Sequence, residues 1–152
     1  MSYGKIFLAG VCGGNRWREQ EVIPLLNAND IPSFNPQVDN WTPEFAVQEA
    51  KELEASDVIL VYIDGSTRCL NSGAELIEQA MNGKRIFAFI QNVADGTVIA
   101  DQTVTGRELK DLNNYRGWLV KFADRHSNVV ICESLDVAAR RAMAASKQKA
   151  AA

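Results

Sequence analysis

Residues 58–63 read Val58-Ile59-Leu60-Val61-Tyr62-Ile63, the strongest strand signal in the 152-residue chain. A strand with one solvated face alternates polar and apolar residues. A strand buried on both faces reads as a continuous apolar run, and this one does. It therefore predicts the centre of a parallel sheet covered on both sides. Working outward, Lys5–Ala9 (KIFLA) and Arg85–Ile90 (RIFAFI) read as two more buried strands. Ser33–Asn35 is a short extended piece, and Asn128–Cys132 (NVVIC) a last strand. Between them lie helical patterns at Trp17–Asn29, at Thr42 to about Ala55, at Ser72–Asn82, at Gly106–Arg125 and after Ser134. Thr42 before Pro43 is a helix start, with Thr as cap and Pro at the first helical position. The spacing turns Ala74, Ile77 and Met81 of the third helix inward, and likewise Leu109, Leu112, Tyr115, Leu119 and Phe122 of the fourth. Alternating strands and helices joined by right-handed crossovers predict an α/β three-layer sandwich, flavodoxin-like or Rossmann-like. Its five-stranded parallel sheet takes the order 2-1-3-4-5. The chain reads as a single domain over residues 1–146 with a flexible tail over 147–152.

The composition narrows the function. The hydrophobic fraction is 47% and net charge is −3, which fits a globular core and argues against a nucleic-acid-coating partner. No apolar run reaches the roughly 18 residues of a membrane span. The three cysteines, Cys12, Cys69 and Cys132, have no paired spacing, so neither a disulfide framework nor a metal site is expected, and a reducing cytoplasm is the default. The single histidine, His126, ends a helix and reads as structural.

In such a sheet, ligands bind beyond the carboxyl ends of the strands where strand order reverses, here between the first and third strands. Two loops open there. One is Gly10-Val11-Cys12-Gly13-Gly14-Asn15-Arg16, and the other runs from Asp64 to Gly73. Glycines let backbone approach a ligand closely, and a helix N-terminus binds anions. Gly10, Gly13, Gly14, Asn15 and Arg16 are therefore candidate binding residues, with Arg18 adding charge. Asn71, Ser72 and Gly73 are candidates in the second loop. Asp64 and Glu75 place carboxylates at the same edge, as acid/base or nucleophilic chemistry requires. The plainer alternatives are an Asp-Gly turn for Asp64 and a Ser72-x-x-Glu75 capping box for Glu75. Asp39 and Trp41 follow the second strand, and Trp41 has a face on which a base can stack. Residues 91–105 form a long connection that suggests a lid, with a hairpin at Asp95-Gly96.

The stretch DVILVYIDGSTRCLNSGAELIEQAMNGKRIFAFI, residues 57–90, resembles the core of the nucleoside 2-deoxyribosyltransferase family. The similarity lies in a buried strand, Asp-Gly, a polar loop, and a helical Glu followed after eight and nine residues by Gly-Lys, here Glu75, Gly83 and Lys84. KIFLAGVCGGNRWREQEVIPLL and FNPQVDNWTPEFAVQEAKELEASD resemble the family's less studied "like" branch, so the likeness covers roughly residues 5–90. The chain departs from the family pattern at Ile77, where a Gly is common, and at Asn71, where an Asp is common. The resemblance implies cleavage or transfer of an N-glycosidic bond on (deoxy)nucleosides or nucleotides. Glu75 would be the nucleophile, its ionised form favoured by the helix N-terminus, and a covalent glycosyl-enzyme would form. Asp64 would serve the leaving base, and the Gly10–Gly14 loop with Arg16 the sugar or a 5′-phosphate. No cofactor or metal is implied, and a homo-oligomer is. Two other readings stand beside it. One is a non-catalytic nucleotide-binding and sensing module. The other is a low-molecular-weight tyrosine phosphatase-like enzyme, from the Cys12-x5-Arg18 spacing.

Overall fold

The structure is a computed structural model that describes residues 2–149 in full and follows the backbone of the last helix to Ala151. The strands are β1 (Ile6–Gly10), β2 (Ser33–Phe34), β3 (Val58–Ile63), β4 (Arg85–Ile90), β5 (Thr97–Ile99), β6 (Gln102–Val104) and β7 (Val129–Ile131). The helices are α1 (Ile23–Asn27), α2 (Pro43–Ala55), α3 (Leu70–Met81), α4 (Gly106–Asp124) and α5 (Leu135–Ala151), with a π-helical turn over Arg18–Val22 leading into α1. The main sheet has five strands in the order β2-β1-β3-β4-β7. Every pairing in it is parallel. This is the expected doubly wound, flavodoxin-like arrangement. The fifth sheet strand is β7 only because a separate antiparallel hairpin, β5–β6, precedes it.

Side-chain alternation in the central strands fills two cores. Ile6, Leu8, Val58, Leu60 and Phe87 face one side, where Leu26 of α1 and Leu135, Ala138, Ala139 and Ala142 of α5 meet them. Phe7, Ala9, Ile59, Val61, Ile63, Ile86 and Ala88 face the other, against Leu76 and Ala80 of α3 and Leu119, Phe122 and Ala123 of α4. Each large aliphatic side chain removed from water contributes about 1.5–3 kcal/mol, so β1, β3 and β4 form the rigid floor of the molecule. The alanines of α5 let that helix lie close on the sheet. Ser134 caps it, its Oγ accepting from the Val137 N–H at 3.1 Å. Thr42 caps α2 in the same way, through the Phe45 N–H at 3.1 Å. Residues 147–151 of the expected tail lie within α5, where Lys149 pairs with Asp57, and residue 152 lies outside the described residues.

Three expectations need correction. α3 begins at Leu70 rather than Ser72, and its inward face carries Gly73, Leu76, Gln79 and Ala80. Ala74, Ile77 and Met81 point outward, because the stripe that packs on the sheet is the neighbouring one, Gly73, Leu76 and Ala80. The hairpin turns at Ala100-Asp101, both with positive φ (49° and 62°), while Asp95-Gly96 only leads into β5. Two consecutive left-handed residues match the twist of a two-residue hairpin, so its register follows them. Residues 91–105 also have a small core of their own, Val93, Ile99 and Val104 against Leu112, and Asn113 bonds both the N–H and the carbonyl of Val93 at 2.8 and 3.0 Å.

Candidate active site

The chain leaves β1 toward one edge of the sheet and β3 toward the other. The two loops therefore part above the carboxyl ends of these strands. A cleft of about 360 Å³ opens there, walled by the end of β1, Arg18, Trp41 and Glu49, and Asn71, Ser72 and Glu75 of α3. Gly10 lets its wall form. Its φ is +121°, and a Cβ would stand 2.1 Å from the Tyr62 carbonyl oxygen of β3. Only glycine allows the two strands so near each other at this point.

Arg18 is wholly buried, stacked 4.5 Å from the Trp17 ring. Its Nε donates to the Leu8 carbonyl at 2.7 Å, Nη1 to Val11 at 2.8 Å and Nη2 to Gly10 at 3.2 Å. The π-helical turn places the guanidinium under the loop, where it collects carbonyls that β1 no longer pairs. Burial lowers the Arg18 pKa, and the neighbouring Cys12, Glu75 and Glu49 oppose that shift. Gln37 links the loop after β2 to the same network, donating to the Gly13 carbonyl at 3.0 Å and accepting from Arg18 Nη1 at 3.3 Å.

Glu75 stands in the second turn of α3. The helix is preceded by Cys69 in the left-handed conformation (φ 53°), and no side chain caps it. The capping box between Ser72 and Glu75 therefore does not form. Glu75 also lies beyond the first turn, where the helix N-terminus was expected to favour its ionised form. Burial, first of all, pushes its pKa up to about 7; the like charge of Glu49 adds to the rise, Arg18 works against it, and Glu78 adds a smaller share. The helix start lies too far away to compensate, since dipole effects fade beyond the first turn.

Glu49 was missed in the sequence. It lies on α2 opposite Glu75, and burial raises its pKa against the pull of Arg18. The signal was present: Phe45, Glu49 and Leu53 follow one another at four-residue steps, so a carboxylate stands on the inward face of the helix.

The other candidates divide. Gly10, Trp41, Asn71, Ser72 and Glu75 share the main cleft. Gly13, Arg16 and Asp39 line a hollow of about 380 Å³ beside it, which shares Cys12, Pro36 and Trp41 with the cleft. Arg16 is paired with Glu19 at 3.0 Å and lies 3.8 Å from Asp39. Asp64 lies outside the cleft wall. Its buried carboxylate accepts from Asn15 Nδ2 at 2.9 Å and from the Ser66 N–H and Oγ at 3.0 and 2.6 Å, which braces the two loops together. Asn15 faces that brace, and Gly14 does not line the cleft. Gly73 is buried beneath Tyr115. Among the described residues, no group of three or more His, Cys, Asp and Glu side chains is placed to hold a metal ion. His126 bonds the Phe122 carbonyl within its own helix end, at 2.8 Å.

The doubly wound α/β domain thus places two half-buried carboxyls and a buried arginine around one cleft at its switch point, where sheets of this kind take their ligands. The model of the family described as nucleoside 2-deoxyribosyltransferase like matches residues 3–93, which is the part that builds the cleft. The chain belongs to that family. Among curated proteins, none matches the chain.

Proposed function

We propose that the protein cleaves or transfers the N-glycosidic bond of a (deoxy)nucleoside or nucleotide through Glu75. The observation that carries this reading is the Glu75 carboxyl, half-buried in a cleft walled by residues of the family's matched region and facing a second carboxyl on Glu49. Glu75 in its ionised form attacks C1′ of the sugar. The C1′–N bond breaks, its electron pair goes to the base, and Glu49 gives the base a proton. A glycosyl ester on Glu75 results. Water or a second base then attacks C1′, Glu49 takes the proton, and Glu75 is released with retained configuration. Glu49 replaces Asp64 in this role because the Asp64 carboxylate is committed to Asn15 and Ser66. Trp41 offers a ring face at the cleft mouth for the base.

The reading extends to a cytoplasmic homo-oligomer. Supporting it are three free thiols and an α3 that exposes Leu70, Ile77 and Met81 to solvent. The phosphatase reading has a geometric difficulty. A phosphate over Cys12 needs a pair of guanidinium N–H groups, and Arg18 spends its own on the carbonyls of Leu8, Gly10 and Val11. The test is incubation with a panel of nucleosides and 5′-monophosphates, assayed for free base. Wild type should release base, and Glu75→Ala should lose at least about 10³-fold in kcat. Unchanged release by the variant would remove Glu75 as nucleophile. Tight binding with no release by wild type would favour the sensing module.

A further inference from the structure

We propose that Arg18 is the positioning residue of the cleft: fixed from behind by the carbonyls of Leu8, Gly10 and Val11, its guanidinium orients the Glu75 carboxylate and holds it in the ionised form that attacks. The inference rests on the reading of Glu75 as nucleophile. Three observations support it. Arg18 is part of the cleft wall, yet none of its own surface reaches solvent, so its charge is little screened by water. Among the described residues, Nη2 donates to the Gly10 carbonyl alone, which leaves one of its two N–H groups unspent. And Arg18 is the cation acting on both Glu75 and Glu49, against burial and their mutual repulsion. The groups facing Glu75 are Arg18 from the π-helical turn, Glu49 from α2, the thiols of Cys12 and Cys69 from the two loops, and Glu78 on its own helix. Only Arg18 among them favours the carboxylate.

The carbonyl anchors give the charge a fixed place. An arginine free to swing would follow any anion into the cleft. This one is held at three points, so Glu75 meets a positive field whose position does not change when substrate enters. That is preorganisation in the electrostatic sense, with the reorganisation cost met during folding.

The experiment reads Glu75 directly. Protein carrying ¹³C at glutamate side-chain carboxyls is titrated by NMR, the Glu75 signal being the one absent from Glu75→Gln. The pH dependence of base release is followed in parallel. Arg18→Met should move the Glu75 midpoint upward by about one pH unit or more, tenfold in its ionisation ratio. Arg18→Lys keeps the charge but cannot span three carbonyls. It should hold the midpoint within about half a pH unit while kcat falls and KM stays. Arg116→Met, which removes a buried guanidinium elsewhere, should leave the midpoint in place. A wild-type midpoint in Arg18→Met, or an equal displacement in Arg116→Met, overturns the proposal. If Arg18→Met does not fold, Arg18→Lys decides, and wild-type kcat in that variant overturns the positioning role. If wild type releases no base from any substrate, the glycosyl-transfer reading fails, and the NMR titration still decides the role of Arg18.

Discussion

Arg18 and Arg116 lie wholly buried at the same end of the sheet, and each stitches one of the two loops that frame the cleft. Arg116 reaches from α4 to the loop after β3. Its Nε donates to the Gln91 carbonyl at 2.8 Å, and Nη2 to those of Asp64 and Thr67 at 2.7 and 2.9 Å. Nη1 completes the set with Leu112 and Arg68 at 3.3 and 3.4 Å. All of its donors are used, and it takes no part in the cleft wall. Arg18 clamps the loop after β1 in the same manner, but keeps a donor in reserve and looks onto two carboxyls. Burial, hydrogen bonding and titratable neighbours thus do not separate the two arginines, since Arg116 lies near Asp64, Cys69 and Tyr115. The surplus donor and the place in the cleft wall do.

The comparison predicts unequal losses. Replacing Arg116 by Met strips hydrogen bonds from five carbonyls, those of Gln91, Asp64, Thr67, Leu112 and Arg68. At about 1 kcal/mol for each bond, a cost of about 3–5 kcal/mol is expected. At about 2–4 °C per kcal/mol for a chain of this size, the thermal midpoint should fall by roughly 10 °C. Calorimetry of Arg116→Met checks this. A loss below about 1 kcal/mol would mean that α4 does not hold the β3 loop, and the parallel between the two arginines would break.

On the Arg18 side a carboxyl should prove to be a burden on the fold. The folded pKa of Glu75 is raised to about 7 from an ordinary 4.5. Between these values the unfolded chain has lost its proton and the folded chain retains it. The unfolded state therefore binds fewer protons, and stability falls as pH rises. The penalty is absent below about pH 4.5 and complete above about pH 7, where it amounts to at most about 3 kcal/mol. Glu75→Gln should then be more stable than wild type at pH 8 and about equal at pH 4. Denaturant titrations at the two pH values measure the difference. Equal stability of the two proteins at both would show that Glu75 is well solvated, and the contrast with the Arg116 side would lose its electrostatic basis.

The sheet was legible because its signal is local. The apolar runs at 58–63 and 86–90 are short, rich in β-branched and aromatic residues and bounded by polar turns, as strands covered on both faces are, and right-handed crossovers leave few strand orders. The start of α3 was not legible. Its first residue follows Cys69 in a left-handed conformation that no propensity favours. Ser72 and Glu75 offered a false start, and of two adjacent apolar stripes, Ala74-Ile77-Met81 and Gly73-Leu76-Ala80, only packing decides which one faces the sheet. Glu75 was found from its place at the crevice edge, and the family resemblance gave it the role of nucleophile. Glu49 was not found, though its place between Phe45 and Leu53 was open to a periodicity argument. Asp64 illustrates the opposite failure. It stands at the right edge of the sheet, but the direction of its carboxylate is set by Asn15, 49 residues away in sequence, and no local pattern contains that.

The smallest effect expected comes from Gly73, on the side of α3 that faces α4. A Cβ at this position would lie 2.1 Å from Tyr115 Oη and 2.7 Å from its Cζ. The Tyr115 hydroxyl donates to the Leu70 carbonyl at 2.9 Å and so holds the first turn of the helix that carries Glu75. Gly73→Ala gains about 1 kcal/mol in helix propensity and loses about 1–3 in overpacking, so a net cost of up to about 2 kcal/mol is expected. Tyr115→Phe removes the clashing oxygen. Gly73→Ala should therefore cost less in the Tyr115→Phe background than in wild type, a coupling that a double-mutant cycle measures. Additive losses would show that the clash is with the ring rather than its hydroxyl. Because the Glu75 carboxyl looks to Arg18 and not to Tyr115, the single variant should lower the thermal midpoint and leave the Glu75 titration where it is. A shift in that titration would mean that the first turn of α3 transmits the Arg116 clamp into the cleft, and the two loops would then have to be treated as one device.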